Sequence, residues 1–302
     1  MPGSTVDPLV HAALYYHDLS EFVAGTVPFL DEGLALGEPC LVAVSGSRQF
    51  LIRAALDDAG GPVRFVDMAV VGRNPNRVLP DTVQAFVEEH AGQRVRVVSE
   101  PIFSGRTPAE IPACVRHEAL INQVFAGRDI AVLCPIDAAA FGHLVPYQER
   151  THPIVIAEGQ RRRSSGFTDP RTMVAILNQP LPEPRGPAES VRAGAADAAL
   201  QALMVVADKA GADPVRVAQL REAMTALLDP TTSVRAWTEP DRIVCELRGP
   251  GEVVDLLLGH LGPDPRSPRG RALALAERLS DLVQTHVTAS ATVTRLHLRL
   301  SD

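Results

Sequence analysis

Cys40-Leu41-Val42-Ala43-Val44-Ser45-Gly46-Ser47-Arg48 runs five apolar residues into a small polar loop, and a helical pattern follows as far as Leu56. A strand without alternation is covered on both faces, and one that passes straight into a helix is half of a βαβ unit. The unit recurs on either side. Residues 10–16 read as a strand before a helix opened by Asp18-Leu19-Ser20-Glu21, with Phe22, Val23, Val27, Leu30 and Leu34 at helical spacing and Gly37 at its close. Further strands are predicted at 63–66, 95–98, 130–134 and 154–156, with helices near 80–90, 108–125 and 138–150. The first half is therefore read as an α/β domain, a mostly parallel sheet with helices on both faces.

Asn178-Gln179-Pro180-Leu181-Pro182-Glu183-Pro184-Arg185-Gly186-Pro187 holds four prolines in ten residues, which forbids regular structure and marks a linker. Beyond it the pattern changes. Helices are expected over 190–210 and 215–228, the second announced by the N-cap and proline of Asp213-Pro214. Strands at 233–238 and 242–248 are joined by Glu239-Pro240-Asp241, and a helix at 271–282 precedes a last strand at 291–300. This order predicts an α+β layer. The expected division is a first domain at 1–176, a linker at 177–189 and a second domain at 190–302.

The 302 residues carry 29 basic and 36 acidic groups, a net charge of −7, which argues against a chain built to coat nucleic acid or an anionic membrane. No apolar run reaches the roughly 18 residues of a membrane span. Met1-Pro2-Gly3-Ser4-Thr5-Val6-Asp7 lacks the basic and apolar regions of an export signal. Cys40, Cys114, Cys134 and Cys245 are scattered and form no C-x-x-C pair, as expected for reduced thiols in the cytoplasm. Lys209 is the single lysine, so neither a lysine-bearing phosphate loop nor Schiff-base chemistry is available before it.

Ligands of open parallel sheets bind beyond the carboxyl ends of the strands. Glu100 follows the strand at 95–98, Asp137 follows Cys134, and His152 stands before the strand at 154–156. On the helix between them Glu118 and Asn122 share a face, with Arg116 offset from it. His11 lies early in the first strand. These eight residues are the expected ligand-binding set, with Glu118 and Asn122 brought to the strand ends that carry Glu100 and Asp137. Plainer roles exist for each: Cys134 as a small buried hydrophobe, His11 as a hydrogen-bonded core histidine, His152 as a helix cap. Histidine, cysteine and carboxylate also make metal ligands, but no two stand at ligand spacing, so no metal is expected.

With His11, Tyr15-Tyr16, Glu32-Gly33-Leu34-Ala35-Leu36-Gly37-Glu38, Ser99-Glu100-Pro101, His117-Glu118-Ala119-Leu120-Ile121-Asn122, Cys134-Pro135-Ile136-Asp137 and Thr151-His152-Pro153 in order, residues 9–160 resemble the methanogen/methylotroph sensory domain, MEDS. His117 and Ile136 depart from it where aromatic residues are usual. The resemblance implies a RecA-like sheet with a degenerate nucleotide loop, here Ser45-Gly46-Ser47-Arg48, and a sensory role.

Residues 215–300 resemble the GHKL, or Bergerat, ATP-binding fold of histidine kinases and anti-sigma serine kinases, closest to the actinobacterial anti-sigma type. Val217-Ala218-Gln219-Leu220-Arg221-Glu222-Ala223-Met224-Thr225-Ala226-Leu227 stands where that family has its asparagine-bearing helix, and Leu279-Ser280-Asp281-Leu282-Val283 is matched to its last helix. By the resemblance, Ala226 replaces the magnesium-holding asparagine, Gly249 the adenine-reading aspartate and Ala272 a phosphate-loop glycine. Glu222 alone keeps its place, as the general base. Alanine can neither coordinate Mg²⁺ nor bind phosphate, so no cofactor is expected and the module is read as a pseudo-kinase.

The expected function is a cytoplasmic signalling or transcription-regulatory protein. It senses a small ligand or partner through the first domain and acts by protein–protein contact through the second, by resemblance on a sigma factor or anti-anti-sigma regulator. The alternative is an active ATP–Mg²⁺-dependent serine or histidine kinase with Glu222 as catalytic base. A third reading is an assembly protein whose lobes form a homodimer scaffold.

Overall fold

The computed structural model describes residues 8–56, 63–184, 186–191, 194–251 and 267–300. They fall into two units, Met1–Met173 and Val174–Asp302.

In the first unit, β1 (Leu9–Tyr16), β2 (Cys40–Val44), β3 (Val63–Asp67), β4 (Val95–Ser99), β5 (Ile130–Asp137), β6 (Ile154–Ala157) and β7 (Gln160–Arg163) form one sheet in the order β3-β2-β4-β5-β1-β6-β7. Every pairing is parallel except β6 with β7. β2 lies where its apolar run predicts, and all five of its residues are buried. β7, missing from the sequence reading, is an edge strand of four exposed residues, Gln160-Arg161-Arg162-Arg163, with no apolar periodicity to betray it.

One face of the sheet packs Ala12, Leu14, Tyr16, Val42, Val44, Val98 and Leu133 against Phe22 and Leu30 of the helix Leu19–Ala35 and Ile52 of Gly46–Ala55. The opposite face carries His11, Ala13, Tyr15 and Cys134 and lies under the helix Ile111–Val124, whose middle, Ala113 to Ile121, is buried throughout. The motif Glu32-Gly33-…-Gly37-Glu38 proves structural. Arg96 of β4 donates to the carboxylates of Glu32 and Glu38 and to the Phe29 carbonyl. A Cβ on Gly33 would stand 2.5 Å from Arg96 Cδ, and Gly37 turns the helix end at φ 72°. The helix expected at 138–150 is broken at Gly142 into Ala138–Phe141 and Val145–Thr151, and that near 80–90 starts earlier, at Pro75, capped by Asn74.

In the second unit, β8 (Glu189–Val191), β9 (Ser233–Glu239), β10 (Arg242–Pro250), β11 (Leu282–Val287) and β12 (Ala291–Arg299) make an antiparallel sheet in the order β11-β12-β10-β9-β8. Its core joins Ala236, Ile243, Cys245, Leu247, Leu296 and Leu298 to the helices Ala196–Ala210, Pro214–Leu227 and Pro268–Leu279. Two expectations are corrected here. The helix expected from 190 begins at Ala196, because Glu189–Val191 pairs with β9. The helix expected to run to 282 ends at Leu279, and Leu282 and Val283 open β11.

The proline-rich stretch has no regular structure, yet it is tied to the second unit. The Asn178 amide donates to Val287 O at 2.8 Å and accepts from Val287 N at 2.9 Å. Pro182 O accepts from Arg295, and Glu183 pairs with Arg235 at 2.8 Å.

Candidate functional site

Seven of the eight residues singled out in the sequence separate to the two faces of the sheet. Cys134 and Asp137 stand three apart on β5, so their side chains leave opposite faces of the sheet. Two groups result.

The first group crowns the carboxyl ends of the strands. β2 leads outward to β3 while β4 leads inward to β5, so the crevice of the topological switch opens beyond Val44 and Ser99. Arg48 fills it. Its Nε lies 3.2 Å from Glu100 Oε1 and its Nη2 3.3 Å from Asp137 Oδ2, while its guanidinium carbon stands 5.5 Å from the Tyr16 ring centre. The Tyr16 hydroxyl donates to Glu100 Oε1 at 2.7 Å. Burial raises the Glu100 carboxyl to about 7, with Arg48 and the Tyr16 hydroxyl opposing it. Asp137 also caps the helix Ala138–Phe141 through Ala140 N at 2.9 Å. Sequence reasoning placed neither Arg48 nor Tyr16 in the site. Arg48 could have been found as the one cation of the loop already searched for a phosphate-binding lysine.

The second group lies on the opposite face, under Ile111–Val124. His11 of β1, Glu118 of the helix, Cys134 of β5 and His152 just before β6 converge, each fully enclosed, with one donor atom from each within 4.8 Å of the others. His11 Nε2 and His152 Nε2 each stand 3.4 Å from Glu118 Oε2, and Cys134 Sγ donates to the same oxygen at 3.1 Å. The expected union of Glu118 and Asn122 with Glu100 and Asp137 does not occur; the sheet separates them.

Hydrogen bonds around the second group fix both imidazole tautomers. Asn122 Nδ2 donates to Thr151 O at 2.7 Å and to two carbonyls of its own helix, so its Oδ1 is free to accept from His11 Nδ1 at 3.0 Å. His152 Nδ1 donates to Gln148 O at 2.9 Å. In its neutral form each ring therefore turns an Nε2 lone pair toward the Glu118 carboxylate. Burial, with His152 beside it, pulls the His11 imidazole down to about 4, and burial beside Glu118 holds the Cys134 thiol well above its ordinary range. Several lone pairs thus meet around one thiol hydrogen. Neither Glu118 Oε1 nor His152 Nε2 has a hydrogen-bond partner.

Arg116 joins neither group. Its Nη2 donates to Asn76 Oδ1 at 3.2 Å. His117, at a position where aromatic residues are usual in the family it resembles, is buried, and that burial lowers its imidazole below the ordinary histidine range. Ile136, the other departure, packs with Ala13, Tyr15 and Val155.

Among the described residues no helix is long and apolar enough to cross a membrane. No curated protein matches the chain. Residues 10–153 match the family model described as MEDS, the MEthanogen/methylotroph, DcmR Sensory domain. That span holds all of His11, Glu118, Cys134 and His152, and the match supports a sensory domain, with a signalling or regulatory role, for this part of the chain.

Proposed function

We propose that this chain is a cytoplasmic signalling protein whose first unit senses a small chemical species at the His11–Glu118–Cys134–His152 cluster and whose second unit passes the result to a protein partner. The observation that carries the reading is the enclosed Glu118 carboxylate, faced by two imidazole lone pairs and left with an unpartnered oxygen inside the segment that matches a sensory domain. A cluster kept only for stability satisfies its own acceptors. This one is arranged to receive something.

The second unit is read as a pseudo-kinase module acting through its surface. Glu222 and Ala226 stand one turn apart on the exposed side of Pro214–Leu227, and that helix packs on Pro268–Leu279, which carries Ala272. Alanine at 226 offers a phosphate-bound Mg²⁺ no side-chain ligand. The partner class, by resemblance, is a sigma factor or an anti-anti-sigma regulator.

The test is a transcriptional reporter in the native host. Loss of response on Glu118→Gln with the fold intact supports the reading. An unchanged response, or transfer of phosphate from ATP that Glu222→Gln abolishes, overturns it.

A further inference from the structure

We propose that His11 Nε2, His152 Nε2, Cys134 Sγ and the Glu118 carboxylate are the four donors of a divalent transition-metal site, and that the ion their chemistry suits is Zn²⁺.

Geometry comes first. An ion with tetrahedral bonds of about 2.0–2.3 Å sets its donors roughly 3.3–3.8 Å apart. Here four of the donor separations are 3.4, 3.4, 3.4 and 3.1 Å (His11–Glu118, His152–Glu118, Cys134–His11 and Cys134–Glu118), and the whole set fits within 4.8 Å. The donors lie at nearly the spacing that such an ion requires.

The lone pairs are aimed. Because Asn122 Oδ1 takes the His11 Nδ1 hydrogen and Gln148 O takes that of His152, both rings can offer only Nε2 to the centre. Outer partners of this kind fix the tautomer and orientation of metal-bound histidines. Two imidazoles, one sulfur and one carboxylate form a closed, borderline-soft set of the type zinc takes in four-coordinate sites.

Charge also closes. The Cys134 thiol, a proton donor to Glu118 in the empty arrangement, gives its proton to solvent as the sulfur–metal bond forms. One proton leaves per ion and nothing is oxidised. Thiolate and carboxylate together then cancel the dication, which suits a chamber whose four side chains are all enclosed. With every donor position filled by protein, the ion would tie β1, β5, the helix Ile111–Val124 and the turn before β6 together and leave no place for a hydrolytic water. As the species sensed, the metal rests on the function proposed above; as a site, it stands without it.

The test uses the untagged full chain under reducing conditions. Elemental analysis of protein from zinc-supplemented cells should give one zinc per chain. Unfolding and refolding with Co²⁺ should give the intense d–d bands of a tetrahedral site and a thiolate-to-cobalt charge-transfer band. Cys134→Ser should lose the charge-transfer band, whereas Cys114→Ser, which removes a thiol outside the cluster, should keep it. Asn122→Ala should keep the band with about 10–100-fold weaker affinity. Circular dichroism checks that each variant folds.

Substoichiometric zinc and cobalt by both routes overturns the site, and so does a charge-transfer band that survives Cys134→Ser. The sensory reading fails separately: stoichiometric metal with a reporter that ignores Glu118→Gln keeps the metal and removes the sensor. A metal-free protein whose reporter still needs Glu118 does the reverse.

Discussion

His11 and His152 stand with ring centres 4.1 Å apart and turn their Nε2 atoms to one and the same oxygen of Glu118. One ring rides on a central strand and the other on the turn that leads into β6. The carboxylate between them belongs to a helix that crosses over both. Anything that binds Glu118 Oε2 is therefore felt by three elements at once.

Glu118→Gln should separate fold from signal. The amide is nearly isosteric and can donate to one imidazole Nε2, so the melting temperature should stay within a few degrees of the parent's. The carboxylate charge is lost, and with it the reporter response. A folded variant that signals normally would count against a sensory role for the cluster.

Glu100 should make stability fall as pH rises. Its folded carboxyl titrates at about 7, against about 4.5 in the unfolded chain, because burial disfavours the charge. Between those values the folded state holds a proton that the unfolded state has released, so stability declines across the window and the full cost stands above pH 7. That cost is at most about 3 kcal/mol. Glu100→Gln removes the charge, and Arg48 keeps Asp137 as partner. Denaturant unfolding should show the variant gaining on the parent at pH 8 and little difference at pH 4.5. An equal effect at both would refute the assignment.

Asn178→Ala should weaken the second unit although the residue sits in a proline-rich stretch. It removes both hydrogen bonds to the Val287 backbone, at about 1–3 kcal/mol in total. By the same argument a fragment begun at 190 should unfold at lower urea than one begun at 174. It lacks Asn178, Pro182 and Glu183 and starts inside β8. Equal midpoints would mean that the strap contributes nothing.

Calorimetry with ATP–Mg²⁺ should give a Kd weaker than about 10 μM. If the second unit is the GHKL-like module proposed above, Ala226, Gly249 and Ala272 each stand where that fold makes a polar or backbone contact, and every charge-assisted bond lost is worth about 1.5–3 kcal/mol. Tighter binding would restore the kinase reading.

How much of this was legible depends on what carries the signal. β2 could be placed to the residue, because five consecutive apolar side chains admit no other reading beside a glycine loop. β7 and β8 could not, since short, exposed edge strands carry no periodicity. Every member of the buried cluster was named in the sequence, yet its convergence was hidden. Ligand spacing along the chain is a local criterion, whereas these four come from two strands, a helix and a turn. Glu100 and Asp137 were grouped with Glu118 because all lie near strand ends. The odd interval from Cys134 to Asp137 already assigns them to opposite faces.

Arg116 is where sequence and structure part most sharply, and it supplies the last test. Its planar fork suits a carboxylate or phosphate, which fits a place in the expected ligand-binding set. On the helix, however, Arg116 and Glu118 stand two residues apart, roughly 200° around the axis. The guanidinium is largely buried and donates to Asn76 Oδ1 at 3.2 Å, and Asn76 N is itself held by the Asn74 cap at 3.0 Å. The bond from Arg116 ties the helix that begins at Pro75 to Ile111–Val124. Arg116→Ala should therefore cost about 1–3 kcal/mol in unfolding experiments while the reporter response and metal content stay as in the parent at temperatures where the variant is folded. Arg116→Met, which keeps the aliphatic stem, should recover part of the loss, because some of it is packing. The opposite result, a response abolished with stability unchanged, would return Arg116 to the ligand site and mean that the chamber extends around the helix.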